Sequence, residues 1–229
     1  MIEDRSRGAR AAFLIGGLVP TVAVIGQIVA AARGDIGTMG MLEYLLGMNM
    51  SGSAGATSRV FDVFTYFTNI SGTLVAVISL MLAFGYQTNG LIFRVLRLDG
   101  LVMIIVVEIV VIIGVLTNNP GLAFNWSTQV LHFIVPPLTV IIWLRFGPRG
   151  LIDKRIVIWA LLLPLAYLVF AIVRGEIIMA FPYTFLALTE IGVLQTLLGV
   201  TTIGVIFVLL GFAYLALDKR LANRGSRQL

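Results

Sequence analysis

The chain has 229 residues, of which 59% are hydrophobic and only 12% charged, with a formal net charge of +5. A soluble domain carries about 25% charged residues, so this composition excludes an ordinary soluble core and indicates an integral membrane protein. There is no cysteine and one histidine, His132, which excludes disulfides, thiol chemistry and the clustered ligands of a zinc site; no metal or other cofactor is expected.

Six apolar runs follow in chain order: Ala9–Ala32, Phe61–Gly85, Val95–Thr117, Trp126–Phe146, Leu151–Arg174 and Ile191–Leu217. A helix needs about 20 apolar residues to cross the hydrocarbon core, and each run meets that length. Strands of a membrane barrel alternate over about 10 residues, whereas these runs are continuously apolar. The expected fold is all-α, a single domain over residues 1–229 forming a bundle of six transmembrane helices. Ala30-Ala31-Ala32 resembles a signal-peptide cleavage site, but the apolar stretch before it exceeds the usual length of about 7–15 residues, so a retained helix is expected. The connection from Arg33 to Val60 is rich in Gly, Met and Ser, and Met39–Met48 suits a short interfacial helix.

Basic residues divide unevenly between the two sides that six spans create. Arg5, Arg7, Arg10, Arg94, Arg97, Arg145, Arg149, Lys154, Arg155, Lys219, Arg220, Arg224 and Arg227 fall on one side; Arg33, Arg59 and Arg174 fall on the other. The positive-inside rule then places both termini in the cytoplasm of a multi-pass cell-membrane protein. These basic residues flank apolar runs, where topology and anionic head groups account for them; the expected partners are membrane lipids, and nucleic acid is not among them.

Polar residues within a membrane are costly and face the protein interior. In the second run Thr65, Thr68, Asn69 and Gly72 share one helical face. In the fourth, Asn125, Gln129, His132 and Pro136 recur at spacings of 4, 3 and 4. Counted at 1.5 Å per residue, Thr68 and His132 lie about 10 and 9 Å below the outer ends of their runs. Pro136 lacks the amide that would bond the His132 carbonyl, which predicts a kink there. Glu108 sits near mid-membrane, Asn118 follows the third run on the outer side, Arg174 ends the fifth, and Tyr183 lies in the next loop. Thr68, Asn69, His132, Asn118, Arg174 and Tyr183 are expected to line one outward-facing pocket. Thr65, Thr68 and Gly72 also fit the small and hydroxyl residues that let membrane helices pack closely. Glu108 suits either a proton relay or a neutral hydrogen bond. Arg174 suits a carboxylate ligand, a pair with Glu176 or Glu190, or an interfacial position.

Tyr66-Phe67-Thr68, then His132 with Pro137, then the loop Phe181–Phe185 appear in that order, with Leu116-Thr117-Asn118 and the stretch from Tyr167 to Arg174-Gly175 between them. Over roughly Phe61 to Leu186 the chain resembles the androgen-induced-protein family of multipass membrane threonine hydrolases, and resembles its prokaryotic relatives more closely. The resemblance implies hydrolysis of fatty acid esters of hydroxy fatty acids, with a threonine nucleophile at Thr68 and a histidine at His132. The sequence departs from the family pattern where an Asp follows the threonine, here Thr68-Asn69-Ile70-Ser71, and where Phe181 stands in place of a Tyr. His132 is the side chain whose ordinary pKa suits it to take the threonine proton. Asn69, Asn118, Gln129, Arg174 and Tyr183 are the substrate-binding or oxyanion candidates. A non-enzymatic lipid binder or transporter is the alternative, with Glu108 as its coupling group.

Overall fold

The computed structural model describes residues 2–34, 49–50, 52–86, 89–116 and 126–226. Asn118 and the Met39–Met48 segment lie outside the described residues. All regular structure among the described residues is helical. Helix α1 is Ile2–Arg33; a short 3₁₀ turn Gly52–Gly55 precedes α2, Ala56–Phe64; α3 is Phe67–Ala83 and α4 is Leu91–Leu116. Then come α5, Trp126–Gln129, a π-helical turn Val130–Ile134, and α6, Val135–Phe146. The chain continues through α7, Lys154–Trp159, α8, Leu162–Ile178, the 3₁₀ turn Thr184–Leu186, α9, Leu188–Ile191, and α10, Val193–Ser226.

Among the described residues four stretches are long and apolar enough to cross a membrane: Arg7–Arg33, Trp126–Phe146, Lys154–Ile178 and Val193–Asn223; the bent pair Gly52–Phe64 with Phe67–Ala83 brings the number to five when counted as one span. Helix α4 has the length, about 39 Å at 1.5 Å per residue, but Arg94, Arg97, Asp99 and Glu108 set it apart in composition.

Three breaks depart from uninterrupted helices. The run expected as one helix over 61–85 is two helices that meet at 74°. No Gly or Pro marks the spot. Side chains take over the backbone bonding instead: Thr65 Oγ1 donates to the Asp62 carbonyl at 2.6 Å and Asn69 Nδ2 donates to the Val63 carbonyl at 2.9 Å. Tyr66 is extended, with φ −76° and ψ 130°, and its carbonyl accepts from the amides of Asn69 and Ile70 to start α3. The depth of Thr68, counted along one straight helix, is therefore corrected: Thr68 is the second residue of α3. The kink expected at Pro136 takes the form of the π turn. Pro136 and Pro137 offer no amides to the carbonyls of His132 and Phe133, and the Val135 amide bonds back to Val130, five residues earlier. The fifth run, expected over 151–174, extends to Ile178 and breaks at Ala160–Leu161, where Pro164 cannot bond the Ala160 carbonyl.

Close approach at glycines holds α1 in place. A Cβ on Gly17 would lie 2.6 Å from Leu80 Cγ in α3, and one on Gly26 would lie 2.5 Å from Trp126 Cζ2 in α5, as expected where small residues let membrane helices touch. The main core joins Leu98, Val102, Met103 and Val106 of α4 to Ile156 and Val157 of α7 and Phe207 and Tyr214 of α10. Many apolar residues of α8 and α10 face outward, among them Val169, Ile177, Leu197 and Leu209, as a lipid-facing surface requires.

The helix ends gather into two polar groups. At one end Arg94 donates to Asp153 at 2.7 Å, Arg97 to the Pro148 carbonyl at 2.6 Å, and the Ile152 amide to Asp218 at 2.9 Å. At the other, Arg59 donates to the carbonyls of Ala31 and Ala32 at 2.8 and 3.0 Å, and Arg174 pairs with Asp62. Asp153 caps α7 by accepting from the Ile156 amide at 3.0 Å. That amide, and then the Arg94 guanidinium, hold its carboxyl below the usual carboxylate range. Because the folded state binds the proton less readily, this contribution is present above the unfolded pKa and is lost as pH falls below about 4. Asp153→Ala is expected to cost about 1 kcal/mol in detergent unfolding at pH 7, and the gap from wild type should shrink in acid.

Gly175 accepts the ring of Phe181 so closely that a Cβ would sit 2.2 Å from Phe181 Cδ1. Phe181 is buried and anchors the loop that carries Tyr183. Gly175→Ala is expected to cost about 1–3 kcal/mol through overpacking, read as a lower unfolding midpoint in detergent.

Candidate active site at a broken helix

The break between α2 and α3 exposes the start of a helix inside the protein. The first amides of a helix have no partner within it, and they favour anions and oxygen acceptors. Here the amides of Phe67 and Thr68, together with the Thr68 hydroxyl, lie near enough to the Tyr183 phenol to favour its charged form against burial. The Tyr183 ring stacks on Phe185 at 5.4 Å between centroids and meets Tyr66 edge-on at 6.0 Å. Burial pushes the Tyr183 phenol up, opposed first by the Thr68 hydroxyl and then by the two amides. It therefore remains a protonated donor at neutral pH and does not serve as a base.

Tyr167 of α8 closes the same corner. Its hydroxyl donates to the Thr65 carbonyl at 2.8 Å, and its ring lies 4.8 Å from that of Phe67. Two helix turns along α8, Arg174 forms an ion pair with Asp62 of α2. Asp62 also accepts from Asn49 at 2.6 Å. The two charged side chains are mostly buried, at 12% exposure for Arg174 and 6% for Asp62. Neither Glu176 nor Glu190 is the partner in this pair. Arg174 Nη1 remains buried without a hydrogen-bond partner among the described residues, and so does Asn69 Oδ1.

Thr68, Asn69, Arg174 and Tyr183 thus belong to one polar region. Asn69 spends its amide on the Val63 carbonyl, which leaves its oxygen as the available group. His132 is buried in the π turn. Its neighbour Leu131 packs against Gly72, one helix turn from Thr68. Gln129 is exposed and does not share the inward face of His132. The π turn begins directly after it and alters the rotation per residue, which dissolves the four-three-four stripe. In place of Gln129 the inner side of α5 presents Thr128, which accepts from Gln27 of α1 at 2.6 Å. Glu108 is partly buried on α4, with Oε2 lacking a hydrogen-bond partner among the described residues. Asp62 and Tyr167 were not singled out as site residues from sequence. A carboxylate at the start of an apolar run, on the same sparsely basic side that holds Arg174, was the available signal for Asp62.

Compared with known proteins, the chain matches no family model, no curated protein and no solved structure.

Proposed function

We propose that the chain is an intramembrane hydrolase of lipid esters, with Thr68 as nucleophile and His132 as base, in the manner of the threonine hydrolases its motifs resemble. The observation that carries this reading is the position of Thr68: a buried hydroxyl on the first turn of a helix that starts inside the protein, near the Tyr183 phenol. In the reaction Thr68 Oγ attacks the ester carbonyl and its proton passes to His132. The carbonyl oxygen lies beside the Tyr183 phenol, which donates to it together with the Phe67 and Thr68 amides, and these donors stabilise the negative charge. Collapse expels the alcohol, which takes the proton from His132. Water then attacks the acyl-threonine as His132 accepts its proton, releasing the acid and restoring Thr68.

Arg174 is already neutralised by Asp62, so the proposed site favours an ester over a free carboxylate as the group nearest that pair. Six spans support the proposed topology when α4 is counted as a membrane helix. The heavily basic helix ends then lie together on the cytoplasmic side, and the Thr68 site faces the outer leaflet of the cell membrane.

Treatment of purified protein with an alkyl fluorophosphonate should modify Thr68, as located by peptide mapping. Well-folded protein that takes up no probe would defeat the reading. Tyr183→Phe removes the phenolic donor and leaves the ring stacking; it is expected to lower kcat about tenfold or more with little change in KM.

A carrier is the second reading, favoured by the unpartnered Oε2 of Glu108 within the bundle. Substrate flux into proteoliposomes that survives Thr68→Ala and is lost in Glu108→Gln would select it.

A further inference from the structure

The outer part of α8 and the loop after it have a small core of their own. It consists of Ala171 of α8 with Phe181, Leu186 and Ala187 of the segment that follows. Among the described residues, the apolar side chains packed against it come from α8, the loop and Val200 of α10, and none from α2 or α3. The other end of α8 is different. Leu161 and Leu163 pack into the main core, where Phe67, Ile70 and Leu74 of α3 also lie. Helix α8 is thus rooted in the bundle at its first turn.

Beyond that turn, polar and ring contacts join α8 and its loop to α2 and α3. Tyr167 donates to the Thr65 carbonyl, and its ring tilts against Phe67. Arg174 pairs with Asp62, and Tyr183 meets Tyr66 edge-on. A polar and aromatic seam therefore runs between two apolar bodies, and the buried Thr68 lies along it, near the Tyr183 phenol. The lips of the seam are apolar and exposed: Phe61 and Phe64 on α2, Val173 and Ile177 on α8. The Phe61 ring lies 5.7 Å from the Arg174 guanidinium, so the ion pair sits just inside those lips.

Both ends of the α8 unit are breaks. At Ala160–Leu161 the helix is interrupted, and Pro164 offers no amide to the Ala160 carbonyl. After α9 the chain turns at Gly192, with φ 84°. Element ends such as these absorb the backbone changes of a hinge. The closed seam also carries a cost, because Arg174 Nη1 is buried without a hydrogen-bond partner among the described residues and the ion pair is desolvated. Opening returns these groups to water and head groups, which offsets the loss of the pair.

We propose that this seam is a lateral gate: the outer part of α8 and its loop swing away from α2 and α3 to admit an acyl chain from the outer leaflet, with the Asp62–Arg174 pair as the latch. Closing brings Tyr183 back to Thr68. The gate rests on the hydrolase reading for the identity of what enters, but its movement is read without turnover.

The chain has no cysteine, so a pair of introduced cysteines takes nitroxide labels without background. Thr57→Cys with Ile177→Cys puts them on exposed positions of α2 and α8. Pulsed electron paramagnetic resonance in phosphatidylcholine nanodiscs should give two distances, the longer one as the minor population. Asp62→Asn and Arg174→Gln should each raise that longer population about threefold or more. A reference pair, Thr57→Cys with Val77→Cys, spans the break between α2 and α3 and should keep one distance throughout. A single distance for the first pair that stays the same in both variants would overturn the gate. An equal change in the reference pair would also overturn it, by showing that α2 moves in place of α8. Neither result depends on fluorophosphonate uptake at Thr68, so failure of the gate and failure of the hydrolase reading are told apart.

Discussion

Thr68→Ala and His132→Ala are each expected to lower turnover of a long-chain ester by about a thousandfold or more, and the double variant little further, because a nucleophile and its base act as one unit. The measurement is ester hydrolysis by protein reconstituted in vesicles. Thr68→Ser keeps a hydroxyl at the start of α3 and should retain activity; it separates loss of the nucleophile from loss of packing. Additive losses in the double variant, or full activity in Thr68→Ala, would place the chemistry elsewhere. The helix break explains why position 68 matters beyond its hydroxyl. Two residues earlier, Tyr66 is extended, and the amides that follow are turned toward the proposed reacting oxygen.

Asp62→Ala is expected to destabilise the protein by about 3–5 kcal/mol, since it leaves the Arg174 guanidinium buried without its partner. The paired replacement Asp62→Leu with Arg174→Leu should recover much of that loss, because removing both charges also removes their desolvation cost. Unfolding in mixed micelles with a graded denaturing detergent would give the order: wild type and the double variant near each other, Asp62→Ala well below. A single variant as stable as wild type would mean that the pair is solvated. The same pair sets the angle of the break, since it joins α2 to α8 while Tyr167 joins α8 to the Thr65 carbonyl. Loss of Asp62 should therefore also reduce fluorophosphonate labelling of Thr68, and restoration in the double variant would show that geometry, not charge, is what the site requires.

Much of the candidate site was legible before any packing was known. Thr68, Asn69 and His132 stand out because a polar side chain in an apolar run must find an interior place, and all three are buried. The class of the protein follows from the same arithmetic: hydropathy adds along the chain and needs no partner to be read. Pro136 announced a disturbance beside His132 because a missing amide is a local fact.

Three things were decided by tertiary structure. The break at Thr65 and Tyr66 has no Gly or Pro to mark it; it rests on hydrogen bonds from Thr65 and Asn69 to backbone carbonyls, which compete with the helix only once the surrounding segments fix those side chains. The pairing of Arg174 with Asp62 spans 112 residues, so the glutamates nearer in sequence were the visible choices. Gln129 turns outward because the π turn that follows it changes the rotation along the helix, and that turn depends on where α1, α3 and α4 press against it. Apolar content and local amide chemistry are written residue by residue, so the sequence by itself determined the membrane class, the apolar runs and the buried polar positions. Which distant groups meet, and at what angle a helix breaks, are properties of contacts between segments, and only the folded structure decided them.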